Sequence, residues 1–98
     1  VLADEPTASL DLKSQHSLLA TLRSLAHERG KAVMVVLHDL NLASEYADRI
    51  GVLCEGTIRA LGSPDKVLQA GLIEDVYGVT VQVGKNPVTG RPNVIVVP

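Results

Sequence analysis

Two carboxylates stand side by side at Asp4-Glu5, after the apolar run Val1-Leu2-Ala3 and before Pro6, and a histidine, His38, closes a second apolar run from Ala32 to Leu37. An apolar strand that ends abruptly in charge leaves that charge just beyond the C-terminal edge of a sheet, where open α/β sheets hold ligands. Paired acids in that place fit a metal and a proton. One can hold Mg²⁺ through water, because that ion keeps much of its hydration shell, and the other can orient and activate an attacking water in nucleotide hydrolysis. Alone, a hydrophobic run ending in Asp-Glu is more often a solvated turn after a strand, and a lone strand-end histidine is more often structural than reactive. The spacing joins the two: after one helix and one buried strand, His38 is expected beside the end of the Asp4-Glu5 strand.

The elements that must position these residues are legible in outline. Val1 to Ala3 reads as the last part of a buried strand, and Pro6 forces a loop. From Leu12 to Arg29 the positions Leu18, Leu22, Leu25 and Ala26, reinforced by Leu19, follow helical spacing, with Asp11 placed to cap the start and Gly30 to end it. Ala32 to Leu37 is continuous and Val-rich, as a strand buried on both faces is. Asp39 is placed to cap a short helix carrying Ala43, Tyr46, Ala47 and Ile50. A strand from Gly51 to Cys54 then turns at Glu55-Gly56 into an antiparallel partner, Thr57 to Leu61, and Ser63-Pro64 opens another short helix. A helical turn from Leu72 to Tyr77 and strands at Val79 to Val83 and Asn93 to Val97, around a Lys85 to Pro92 loop, complete the chain. This order predicts an α/β fold with a mostly parallel sheet, flanking helices and a small β-rich C-terminal appendage.

Composition narrows the classes of function. The 98 residues are 46% hydrophobic but contain no Phe or Trp, so the core must be aliphatic. A formal net charge of −2, with no run of like charges, gives nucleic-acid binding no electrostatic support. Cys54 is the single cysteine, which excludes an intrachain disulfide, makes a poor zinc site and suits a reducing compartment. The longest apolar runs fall far short of the roughly 20 residues of a membrane-spanning helix. His16 and His27 fall off the apolar stripe of their helix and are expected to face solvent, while Cys54 and Tyr46 are expected to pack.

The segment Asp4-Glu5-Pro6-Thr7-Ala8-Ser9-Leu10-Asp11 resembles the Walker B and D-loop region of ATP-binding-cassette ATPases, and His38 resembles the switch histidine of that family. The resemblance extends over nearly the whole chain. It implies that residues 1–98 are the C-terminal part of one P-loop ATPase domain, with ATP and Mg²⁺ as cofactors. By the same resemblance Asp4 serves Mg²⁺, through water, and Glu5 the attacking water. His38 senses and positions the γ-phosphate. Ser9, Leu10 and Asp11 form the D-loop that reaches the partner subunit in the ATP-closed dimer, so Ser9 and Asp11 join Asp4 among the nucleotide-binding residues. The family also needs a Gly-rich loop ending in Lys and Ser/Thr. None occurs here: Gly30-Lys31 is followed by Ala32, and Gly84-Lys85 by Asn86. The signature segment and the Gln-containing loop are missing too, so the chain is expected to begin in mid-domain and to be inactive alone.

His38-Asp39-Leu40-Asn41-Leu42-Ala43, Tyr46-Ala47-Asp48-Arg49-Ile50 and Glu74-Asp75-Val76-Tyr77-Gly78-Val79 resemble the ATPases of importers for iron-siderophore, haem and cobalamin-type chelates. That implies a homodimeric ATPase, peripheral on the cytoplasmic face of the cell membrane. Its partners would be transmembrane permease subunits and, indirectly, a substrate-binding protein, with no nucleic acid. Two other readings stay open: a soluble cassette ATPase of DNA repair, against which stand the acidic balance and the lack of coiled-coil heptads, and a non-enzymatic interaction fragment.

Overall fold

The computed structural model describes all residues from Val1 to Pro98, which divide into two compact units, Val1–Leu42 and Ala43–Pro98. In the first unit, strand β1 (Leu2–Asp4) pairs in parallel with β2 (Met34–Val36), in the register Leu2 to Met34, Ala3 to Val35 and Asp4 to Val36. The intervening helix α1 (Leu12–Glu28) provides the crossover that a parallel pair requires. Its start is fixed by Asp11, whose carboxylate accepts the backbone N–H of Ser14 at 2.8 Å. Its end is fixed by Gly30, which takes the left-handed φ of +61° and lets the Lys31 N–H return to the Leu25 carbonyl. Of the apolar stripe, Leu19 is fully buried, while Leu18, Leu22, Leu25 and Ala26 are half-buried.

The strand expected at Ala32 to Leu37 forms only from Met34 to Val36, and it is not buried on both faces. Ala3 and Val35 are half-buried, but Leu2, Met34 and Val36 are exposed, because a two-stranded sheet covers itself on neither face and keeps two open edges. Helix α2 (Leu40–Tyr46) begins at the expected cap: Asp39 Oδ1 accepts the N–H groups of Asn41 at 3.0 Å and Leu42 at 3.1 Å.

The second unit is built on two hairpins. Strand β3 (Ile50–Cys54) pairs antiparallel with β4 (Thr57–Gly62), with a bulge between Val52 and Leu53. Glu55 and Gly56, both at positive φ (+50° and +76°), make the tight turn whose twist matches the strands. The expectation of a mostly parallel sheet is met only in β1 and β2, since β3 pairs with β4 and the last two strands form an antiparallel pair of their own. A two-residue turn makes the hairpin the nearest partner available to β3. Pro64, at the first position of the short helix α3 (Pro64–Val67), and Leu68, which follows it, are buried.

Helix α4 (Ala70–Tyr77) starts two residues before the expected Leu72 and stops at Gly78, left-handed at φ +70°. Strand β5 (Val81–Lys85) then pairs with β6 (Pro92–Val96). Its start is shifted from Val79 to Val81, where the Val81 N–H is bound by Glu74 Oε2 at 3.0 Å. Ile50, Val52, Val67, Leu68, Ile73, Val81 and Val94 make the aliphatic core of this unit. Ser44, fully buried, donates its hydroxyl to the Pro92 carbonyl, and Arg91 donates to the carbonyls of Ser44 at 2.9 Å and Ala47 at 3.0 Å, so the end of α2 is satisfied from the loop before β6. Cys54 and Tyr46 are half-buried, in keeping with packing roles.

Candidate active site

The parallel register that sets Asp4 opposite Val36 also sets the two strand ends side by side, so the residues that leave them meet. The Glu5 N–H continues the ladder to the Val36 carbonyl at 2.9 Å. Beyond that bond the chain turns sharply, and Glu5 holds φ at +49°. A non-glycine residue in that region costs on the order of 1–3 kcal/mol and persists only where its surroundings fix it. The result aims the Glu5 carboxylate at His38: Oε1 lies 3.1 Å from His38 Nε2, with the glutamate side chain 25% exposed and the imidazole 87% exposed. The approach is close, yet Glu5 Oε1 remains a buried oxygen that accepts no hydrogen bond.

An orphaned carboxylate oxygen beside a solvent-facing imidazole is suited to a ligand that brings its own donor. A water is the simplest, since a buried acceptor without a partner costs about 1–3 kcal/mol. Asp4, the preceding residue, is exposed at the same strand end. No three His, Cys, Asp or Glu side chains come together anywhere in the chain. The donor set therefore fits an ion held mainly by water and phosphate oxygens, as Mg²⁺ is, and does not fit a metal caged by protein ligands.

Between Glu5 and α1 the chain makes two successive turns: the Ala8 N–H bonds the Glu5 carbonyl at 3.3 Å and the Leu10 N–H bonds the Thr7 carbonyl at 3.1 Å. Thr7 is buried, while Ser9 and Asp11 are exposed. The structure thus brings Asp4, Glu5 and His38 to one sheet edge and leaves Ser9 and Asp11 on the outward side of the loop. Asp11 also has a structural occupation, as the cap of α1. His27 is exposed as expected, but His16 is half-buried and does not face solvent freely. Sequence reasoning overlooked Gln15, whose side-chain amide donates to the Thr7 carbonyl at 3.2 Å. The available signal was its position four residues after the cap Asp11, on the side of the helix that faces back toward the loop.

Bonding to the backbone N–H and then to the side chain of Ser14 holds the Asp11 carboxyl below its usual range. The folded value is depressed, so the contribution to stability is present above the unfolded value and is lost as pH falls through the folded one. Asp11→Asn keeps a capping oxygen and removes the titration. Thermal midpoints of the two proteins should agree at neutral pH and separate below the ordinary aspartate range, with the wild type falling faster. Parallel curves would show that the cap does not titrate with folding.

Strand end, acid pair, successive turns and a nearby histidine thus lie together in the first unit. No family model matches the chain, but individual relatives do. It is 53% identical over 95 residues to the hemin import ATP-binding protein HmuV of Gloeobacter violaceus, covering 97% of this chain and 34% of that protein. Against the HmuV of Myxococcus xanthus it is 49% identical over 98 residues, covering 100% of this chain and 36% of the relative. The fold matches a structure described as an inward-facing ABC transporter of the metal-chelate type, with a TM-score of 0.84 at 21% identity, over 99% of this chain and 40% of that one. Over its whole length the chain is therefore homologous to ATP-binding-cassette ATPases of the hemin-import type, and it spans about a third of the length of the curated relatives it matches.

Proposed function

We propose that residues 1–98 are the C-terminal part of one ATPase domain, and that the protein to which they belong hydrolyses ATP to drive uptake of a metal chelate. Hemin is the cargo named for the relatives, and the same cargo class is assigned here. The observation that carries the reading is the Glu5 to His38 approach at the parallel strand ends, with one carboxylate oxygen buried and unbonded. Glu5 would accept the proton of the attacking water on that oxygen, and His38 would orient the reacting group from the exposed side. Asp4 would hold Mg²⁺ through water, and the ion when bound neutralises phosphate charge. Ser9 and Asp11 would meet the partner ATPase subunit. Permease subunits and, through them, a substrate-binding protein complete the assembly. No helix of the chain is long and apolar enough to cross a membrane, and the ATPase would act peripherally at the cytoplasmic face.

Two substitutions in the full-length protein separate the roles. Asp4→Asn should weaken Mg-nucleotide affinity, whereas His38→Ala should lower turnover by about 10²–10³-fold, the cost of removing one group that stabilises charge developing in the transition state, with a smaller change in affinity. Equilibrium nucleotide binding and steady-state phosphate release report both, and an Asp4→Asn protein with wild-type Mg-nucleotide affinity contradicts the metal assignment. The isolated 98 residues, which contain no Gly-rich phosphate loop, should show no saturable Mg²⁺-dependent ATP binding. Titration of labelled ATP checks this.

A further inference from the structure

We infer that Gln15 is a positioning residue for the Glu5 carboxylate, acting through the backbone of the loop between them; the inference rests on the hydrolytic reading of Glu5. The loop from Glu5 to Leu10 has two anchors. At one end the Glu5 N–H is bound to the Val36 carbonyl at 2.9 Å, so the residue is held by the sheet. At the other the Thr7 carbonyl is held by two donors, the Leu10 N–H at 3.1 Å and Gln15 Nε2 at 3.2 Å. Only the second of these comes from outside the loop. Thr7 is 4% exposed, so its carbonyl sits where water competes poorly with the amide for this bond.

Gln15 is itself rigidly placed. It lies in the first turn of α1, its backbone N–H bonds the Asp11 carbonyl at 2.9 Å, and the turn is capped by Asp11. The amide therefore ties the loop to the helix, while the Glu5 N–H ties it to the sheet. Between these ties Glu5 holds a φ of +49°, a conformation that relaxes when the loop is free. Cutting the Gln15 tie removes the helix-side restraint, and the orphaned Glu5 oxygen loses its fixed aim toward the position beside His38. Misplacement of a reacting group by about 1 Å can lower a rate by about 10²-fold.

Gln15→Met keeps the length of the side chain and removes the donor. Gln15→Glu keeps the shape and, at neutral pH, sets an anion against the Thr7 carbonyl. Both are made in the full-length protein, with Glu5→Gln as a parallel variant. Expected for both Gln15 variants is a kcat about 10-fold or more below wild type, a part of the roughly 10²-fold that a 1 Å misplacement can cost, with ATP affinity unchanged and any fall in thermal midpoint too small to account for the lost rate. Amide hydrogen exchange of nucleotide-free protein should show faster exchange at Ala8 and Leu10, and no change in the middle of α1. Wild-type kcat and wild-type exchange in both variants overturn the inference while leaving Glu5 its role. A kcat that falls only in step with thermal stability also overturns it. If Glu5→Gln turns over normally, the hydrolytic reading fails instead, and the exchange data still decide whether Gln15 holds the loop.

Discussion

Glu5→Gln in the full-length protein should abolish turnover and leave ATP binding intact. Glutamine is nearly isosteric and can still hydrogen-bond a water at the position of the orphaned Oε1, but it can neither accept a proton nor contribute negative charge. Loss of a positioned base lowers a rate by about 10²–10⁴-fold, equivalent to roughly 3–5 kcal/mol of barrier. Binding should be retained, because removing a negative charge beside a triphosphate relieves repulsion and, if anything, tightens it. ATP-driven dimerisation should persist for the same reason, so the variant accumulates as an ATP-bound dimer on size-exclusion chromatography. The backbone supports this separation: Glu5 is held by its own N–H and carbonyl, bonded to Val36 and Ala8, and these bonds do not involve the carboxylate.

Leu68→Ala should produce the largest loss of stability among single truncations in the second unit. Leu68 is 1% exposed, and it directly follows α3, to which its N–H is bonded through the Pro64 carbonyl at 2.9 Å. The backbone at that point cannot move inward to fill the space, so the cost comprises both the lost transfer energy and a residual cavity, together about 2–5 kcal/mol. The thermal midpoint should fall by several degrees. Val88→Ala serves as the control: Val88 is 90% exposed, and its truncation should leave the midpoint unchanged within error. Equal midpoints for Leu68→Ala and wild type would show that the core of this unit is not where the structure puts it.

What the sequence disclosed and what it concealed follow from how local each signal is. The start of α1 at Asp11, the stop at Gly30, the Glu55-Gly56 turn and the Ser63-Pro64 helix start are each fixed by one or two neighbouring residues, and each falls where the residue types require. The first residue of α4 has no such marker: Gln69 precedes it without a side-chain cap bond, and the helix begins two residues earlier than the apolar spacing suggests. The Val-rich run at Ala32 to Leu37 signals burial, but coverage depends on neighbours outside the run, and here Met34 and Val36 stay exposed.

At the site, residue types identify Asp4, Glu5 and His38, and the alternation of strand, helix and strand places them at one edge. The Glu5 φ of +49° was not legible, and the Gln15 to Thr7 bond was signalled only by the place of Gln15 four residues after the cap. Both arise from the closure of the loop between two anchored ends, and no short motif encodes such a closure.

The most direct test of the central assignment is single-turnover hydrolysis. Full-length wild type and Glu5→Gln are loaded to saturation with γ-labelled ATP in the presence of Mg²⁺, and phosphate release is followed from the preformed complex, so that differences in affinity do not enter. Release from the wild type with release from Glu5→Gln at least about 10²-fold slower is the predicted result. If Glu5→Gln keeps more than about a tenth of the wild-type rate, more than loss of a general base permits, Glu5 is not the base.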